Sequence, residues 1–264
     1  MITVNDKQIK TFNFSGGEVY VKVENNEDFV KIVANLQSSD DIMQLLMITD
    51  AIRRDDNLAK IAVIIPYLPY ARQDKITEKG ESLSLKVFCD LINTQNYDHI
   101  AVLDAHSDTA KALLNNAEFI EQDELLIDVF DEFSLGFDYL VSPDFGASKK
   151  IYKSSSLLDI PVIQANKARN SKGEIIKTEV YCDDLMNKSV LIVDDICDGG
   201  RTFIELAKVL KDKGAKFISL YVTHGIFSKG LDCLFEAGID KIYTTNSFLT
   251  DYENDNLFVY NLGE

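Results

Sequence analysis

Two hydrophobic rhythms run along the chain. In EVYVKVE (18–24) every second residue is apolar, which predicts a strand with one wet face. FVKIVANL (29–36) predicts a second strand. DIMQLLMITDAIRR (41–54) changes period, with Ile42, Leu45, Leu46 and Ile52 on one helical stripe. KIAVIIP (60–66) is the unbroken apolar run of a strand covered on both faces. SLSLKVFCDLIN (82–93) then predicts a helix and HIAVLDA (99–105) a strand, with helical pieces around 107–116 and 122–133.

A second series begins with a strand at DYLVS (138–142), a helix at GASKKIYKSSSLL (146–158) and a strand at PVIQA (161–165). A polar loop (166–174), a hairpin arm EIIKTEVY (174–181) and the buried run VLIV (190–193) follow. Phe203, Leu206, Ala207 and Leu210 then repeat at helical spacing. Strand FISLYVTH (217–224), a short helix and strand KIYTT (241–245) complete the series, and the apolar tail LFVYNL (257–262) is expected to pack back. Strands and helices alternating twice over predict an α/β protein of two domains, each a mostly parallel sheet flanked by helices. The expected division is 1–135 and 136–250, with 251–264 as the tail.

Polar clusters sit where these strands end, the edge at which open α/β sheets bind ligands. In VLIVDDICDGGRTF (190–203), Gly199 and Gly200 let successive amides turn inward. With the following helix N-terminus they form a concavity suited to a phosphate. Thr202 adds a hydroxyl donor, while Asp194 and Asp195 suit sugar hydroxyls or a hard cation such as Mg²⁺. The combination points to a ribose phosphate.

In YLPYARQDK (67–75), Arg72 and Lys75 are cations and Gln73 an amide of the type a nucleotide polyphosphate requires. The same stretch reads equally as a solvated surface loop. LDAHSD (103–108) places His106 past a strand end beside Asp104, Ser107 and Asp108, whereas His99 reads as structural. SPDFGASKK (142–150) repeats the design around Asp144. One imidazole and one carboxylate at such edges can share a Mg²⁺ on a phosphate chain. NKARNSKGE (166–174) holds Lys167, Arg169 and Lys172 with almost no apolar anchor, which predicts a mobile basic loop able to close over a phosphate.

A net charge of −16 over 264 residues argues against nucleic acid or anionic membranes as partners. It leaves small anionic substrates open, because a few cations and amides set the field in a cleft. Cys89, Cys182, Cys197 and Cys233 are scattered without a C-x-x-C pair, which predicts reduced thiols in a cytoplasmic protein. No apolar stretch approaches a membrane span.

Taken in order, these segments resemble the ribose-phosphate pyrophosphokinase family over roughly residues 12 to 248. FSGGE (14–18) resembles the family's FSDGE, and IPYLPYARQDK its PYARQDR segment. LDAHSD resembles the Asp-x-His segment, SPDFGAS the Ser-Pro-Asp-x-Gly-Gly segment, and NKARNSKGE the Lys-x-Arg catalytic loop. VDDICDGGRT resembles the ribose 5-phosphate motif, with THGIFS and TTNSF following in register.

The resemblance implies two domains of phosphoribosyltransferase (type I) fold and Mg²⁺-dependent synthesis of 5-phosphoribosyl 1-diphosphate and AMP from ATP and ribose 5-phosphate. It implies that Arg72, Gln73, Asp74, Lys75 and His106 serve ATP, with Phe14 and Glu18 reaching the adenine from a neighbouring subunit of a dimer or hexamer. His106 and Asp144 would hold the ATP magnesium, and Asp194 and Asp195 a second one at the ribose hydroxyls. Asp198, Gly199, Gly200, Arg201 and Thr202 would cradle the 5-phosphate, and Lys167 and Arg169 would close over the β-phosphate.

Departures from the pattern carry expectations of their own. Gly16 replaces the aspartate of FSDGE, which removes one adenine contact. Arg201 replaces a usual glycine, and ITEKGES (76–82) is less basic than the family's stretch. The chain also reads as short at both ends, without an early strand–helix unit or the closing helix, which bears on hexamer formation and ADP or phosphate regulation. Two rival readings are a phosphoribosyltransferase that consumes the diphosphate and a non-catalytic regulatory homologue. The first needs neither PYARQDK nor His106; the second does not need Lys167, Arg169, His106 and Asp144.

Overall fold

The computed structural model describes residues 1–24, 27–169, 175–248 and 253–262, without the side chains of 167–169 and 175–177. The chain divides into two compact units, Met1–Ile120 and Glu121–Gly263.

The first unit opens with β1 (Ile2–Val4), β2 (Lys7–Gln8), β3 (Lys10–Asn13), β4 (Val19–Lys22) and β5 (Phe29–Ala34). Helix α1 (Ser39–Asp55), β6 (Lys60–Ile65), α2 (Ser84–Asn93), β7 (His99–Leu103), α3 (Thr109–Leu113) and β8 (Ala117–Ile120) follow. The sheet order is β2-β1-β5-β6-β7-β8, with β5 to β8 parallel and β1 antiparallel to both neighbours. α1 starts where the pattern says it should because Ser38 and Asp41 form a reciprocal capping box. Its stripe buries Ile42, Leu45, Ile48 and Ile52 in one core with Val63, Ile65, Phe88 and Val102. β3 and β4 form a separate two-stranded ribbon.

The second unit holds α4 (Gln122–Glu132), β9 (Tyr139–Ser142), α5 (Ser148–Leu158), β10 (Val162–Arg169), β11 (Ile175–Tyr181) and β12 (Ser189–Cys197). It continues through α6 (Arg201–Asp212), β13 (Phe217–Gly225), α7 (Asp232–Glu236), β14 (Lys241–Thr245) and β15 (Leu257–Tyr260). The order β11-β10-β9-β12-β13-β14-β15 is parallel except for β11. One core packs Val190, Ile192 and Leu220 with Phe203, Leu206 and Leu210 of α6; another packs Leu191, Val193 and Tyr221 with Leu126 and Val129 of α4 and Ile151 of α5. Central strands covered on both faces explain their continuous apolar runs.

Four sequence expectations are corrected. The division falls after Ile120, not near residue 135, because α4 packs in the second unit's core. β1 to β3 and the half-buried edge strand β8 had no periodicity long enough to read. β12 continues past Val193 to Cys197, so Asp194 and Asp195 belong to the strand. The polar loop 166–174 begins later: Asn166–Arg169 are the end of β10, paired with β11 from Asn166↔Glu179 to Arg169↔Ile175. The remaining loop, residues 170–174 with Lys172, lies outside the described residues.

Candidate active site

In the second unit, β12 delivers its polar end to the carboxyl edge of the sheet, and α6 leaves that edge at Gly200. Gly200 takes φ +72, a left-handed conformation, and a Cβ there would sit 2.9 Å from Leu234 Cδ2. The helix start has no side-chain cap, so the first turn of α6 presents backbone rather than a side chain of its own. Asp194 is half-buried and its Oδ1 accepts the Asp195 amide at 3.0 Å; Asp195 is buried. Asp194 and Asp195 are thus neighbours at the polar end of β12.

The loop after β13 locks onto this turn. The Cys197 carbonyl accepts the amides of Ile226 and Phe227, and the Asp198 carbonyl accepts that of Ser228. Ser228 Oγ donates to Asp198 Oδ1 at 2.6 Å. Phe227 itself adopts φ +45. Cys197 lies beneath the turn, where burial first, then the negative charge of Asp194 and Asp198, pushes its thiol pKa up. Cys197 is therefore a packed thiol and no nucleophile.

Asp144 follows β9. Its Oδ1 accepts the Ala147 amide at 3.0 Å at the start of α5, while its carbonyl accepts Ser142 Oγ and Ser148 Oγ. These bonds fix the carboxylate at the sheet edge. Lys167 and Arg169 lie at the end of β10, whose pairing with β11 shifts register between Ala168 and Arg169.

In the first unit, β6 ends at the loop carrying Arg72, Gln73, Asp74 and Lys75. Tyr70 turns the chain with φ +61, its carbonyl accepts the Gln73 amide at 2.8 Å, and its ring lies 6.1 Å from that of Phe88. Arg72, Gln73 and Lys75 are exposed beyond that turn and Asp74 is half-buried. After β7, Asp104 is 1% exposed with φ +38, a strained backbone that delivers exposed His106. On the ribbon, the rings of Phe12, Phe14 and Tyr20 cluster with centroids 4.7–6.1 Å apart, and all three are exposed. Glu18 bends back over Gly16, where a Cβ would meet Glu18 Oε2 at 2.7 Å.

Among the described residues, no three His, Cys, Asp or Glu side chains converge as a metal site. Mg²⁺ on a phosphate chain needs only one or two protein carboxylates, because substrate oxygens and waters complete its octahedron. Asp144, Asp194 and Asp195 offer such hard oxygen donors, so the residues fit the ion; His106 offers a softer nitrogen. The sequence reading did not single out the contact of Ser228 with Asp198; the polar turn FSKG (227–230) leaves a buried strand at the same edge as the glycine turn.

A parallel sheet whose strand runs through paired aspartates into a glycine turn and helix defines a phosphoribosyltransferase-type protein, and residues 109–253 match the phosphoribosyl transferase domain. Residues 1–95 match the N-terminal domain of ribose phosphate pyrophosphokinase. The chain belongs to the ribose-phosphate pyrophosphokinase family. It is 30% identical to the ribose-phosphate pyrophosphokinase of Pyrococcus furiosus over 240 residues, covering 90% of this chain and 85% of that one. With the Mycoplasmopsis pulmonis enzyme of the same name it shares 32% identity over 255 residues, 91% of this chain and 76% of the relative. The solved phosphoribosylpyrophosphate synthetase from Mycobacterium smegmatis superposes with a TM-score of 0.82 at 26% identity, covering 97% of this chain and 86% of that one.

Proposed function

We propose that this protein transfers the β,γ-diphosphoryl group of ATP to the anomeric O1 of ribose 5-phosphate, releasing AMP. The bond from O1 to the β-phosphorus forms as the bond from that phosphorus to the α,β-bridging oxygen breaks, and the anomeric hydroxyl gives up its proton. The observation that carries this reading is the β12–Gly200–α6 turn, a phosphate nest flanked by carboxylates suited to ribose hydroxyls.

Asp198 to Thr202 hold the 5-phosphate, and Asp194 and Asp195 accept hydrogen bonds from ribose hydroxyls. Arg72, Gln73, Asp74, Lys75 and His106 hold ATP, with Arg72 gripping phosphate oxygens as a fork. Lys167 and Arg169 close over the β-phosphate and balance the charge that develops there. Asp144 and His106 would hold the ATP Mg²⁺, and Asp194 and Asp195 a second one. Bound there, the ions would neutralise phosphate charge and orient the oxygens. Phe14 and Glu18 complete the adenine site of a neighbouring subunit in a homo-oligomer, a reading supported by the exposed ribbon aromatics. Four unpaired cysteines support a cytoplasmic location.

Incubation with ATP, Mg²⁺ and ribose 5-phosphate is expected to release AMP in step with consumption of the sugar phosphate. Absence of AMP from folded protein would leave the non-catalytic homologue as the better reading. ADP would mean that a single phosphoryl group is transferred.

A further inference from the structure

Lys229 lies outside every segment assigned so far, yet its side chain crosses the glycine turn. A Cβ on Gly199 would find Lys229 Cε at 3.5 Å, Cδ at 3.6 Å and Cγ at 3.9 Å as its nearest neighbours. The lysine stem thus lies in van der Waals contact with the position that a Cβ at 199 would take. The ammonium, one bond beyond Cε, is held within about 5 Å of the turn. Among the described residues, no hydrogen bond or ion pair involves Lys229, although Asp194 and Asp195 end β12 and Asp198 lies in the turn that follows.

The loop that carries the lysine is fixed in place. Its amides at 226, 227 and 228 bond to the carbonyls of Cys197 and Asp198, and Ser228 Oγ bonds to the Asp198 carboxylate. Lys229 is exposed, and the backbone that carries it moves with the turn. A sugar phosphate near pH 7 carries close to two negative charges. In a chain of net charge −16, with three carboxylates beside the turn, backbone amides alone leave that charge poorly balanced.

We infer that Lys229 is a further binding residue for the 5-phosphate of ribose 5-phosphate, placed over Gly199 by the loop after β13. This rests on the reading of the β12–α6 turn as the ribose 5-phosphate site. Arg201, exposed at the first position of α6, approaches the same turn from the helix side, so the two cations flank the anion.

The test is calorimetric titration of the intact protein with ribose 5-phosphate, alone and with saturating AMP, which fills the nucleotide side without permitting turnover. Lys229→Met keeps the stem over Gly199 and removes only the charge. Lys208→Met, which removes an exposed cation paired with Glu205 further along α6, is the control. Lys229→Met is expected to weaken binding about ten-fold, with the loss shrinking as salt is added, and Lys208→Met to bind as the unmodified protein does. Equal binding by the unmodified protein and Lys229→Met overturns the inference, as does no binding under either condition. AMP release from ATP and ribose 5-phosphate, measured on the same preparation, reports separately on the proposed reaction.

Discussion

Gly200 concentrates several constraints in one residue. Its φ of +72 is disfavoured by about 1–2 kcal/mol for a residue with a Cβ, and that Cβ would press on Leu234. Gly200→Ala is expected to lower the melting temperature by a few degrees and to raise KM for ribose 5-phosphate more than KM for ATP. Thermal unfolding and initial-rate kinetics check both parts. The glycine and the aspartates around it were legible in sequence, because a turn without side chains and a row of acids are unusual after a buried strand. Lys229 was not, because a lysine in a polar loop looks the same whether or not its stem lies against a glycine. Nor could the left-handed residues Tyr70, Asp104 and Phe227 be read, since no sequence pattern requires φ > 0 from them.

Among the elements, the antiparallel pair β10–β11 carries the basic residues Lys167 and Arg169. Residues acting mainly on the transition state reduce turnover without reducing stability. Lys167→Ala or Arg169→Ala is expected to lower kcat by roughly 10²–10⁴-fold while leaving the unfolding curve in place. Near-normal turnover in both would remove the pair from the mechanism. A different element junction sets acid sensitivity. Asp138, before β9, accepts the Ser189 amide at 2.8 Å and Lys188 Nζ at 3.0 Å, tying β9 to the start of β12. The Ser189 amide first, then Lys188 and the Ser189 hydroxyl, lower its pKa from 3.8 to about 2. A carboxyl depressed in the folded state stabilises above its unfolded pKa and loses that contribution as pH falls through the folded value. The second unit should thus lose stability between about pH 4 and pH 2, and Asp138→Asn should flatten that limb in acid titrations followed by circular dichroism. Long elements such as α1 and α6 were legible because their stripes run over several turns and match the buried residues. The two-residue β2 and the edge strand β8 are too short for period to show, and their pairing comes from distant partners.

At the scale of the whole molecule, alternation of elements predicted the α/β class, but the boundary between units depended on which core claims α4. Its apolar stripe fits any sheet face, and only packing assigns Leu126, Val129 and Phe130 to the second unit. Assembly is the matching question for function. The exposed cluster of Phe12, Phe14 and Tyr20 belongs to the proposed contact that completes a neighbour's adenine site. Phe14→Ala is expected to raise KM for ATP about ten-fold with little change in KM for ribose 5-phosphate. In the unmodified protein, specific activity should fall on dilution as the oligomer separates, and sedimentation at the assay concentration checks the link. Tyr70, Asp104 and Phe227, three left-handed residues beside the proposed ligand sites, carry a strain of order 1–3 kcal/mol each. A chain selected only for persistence would have relieved it with glycine. Strain retained at strand ends in both units marks where selection favoured a held geometry over durability, and these are positions at which stabilising changes should trade against activity.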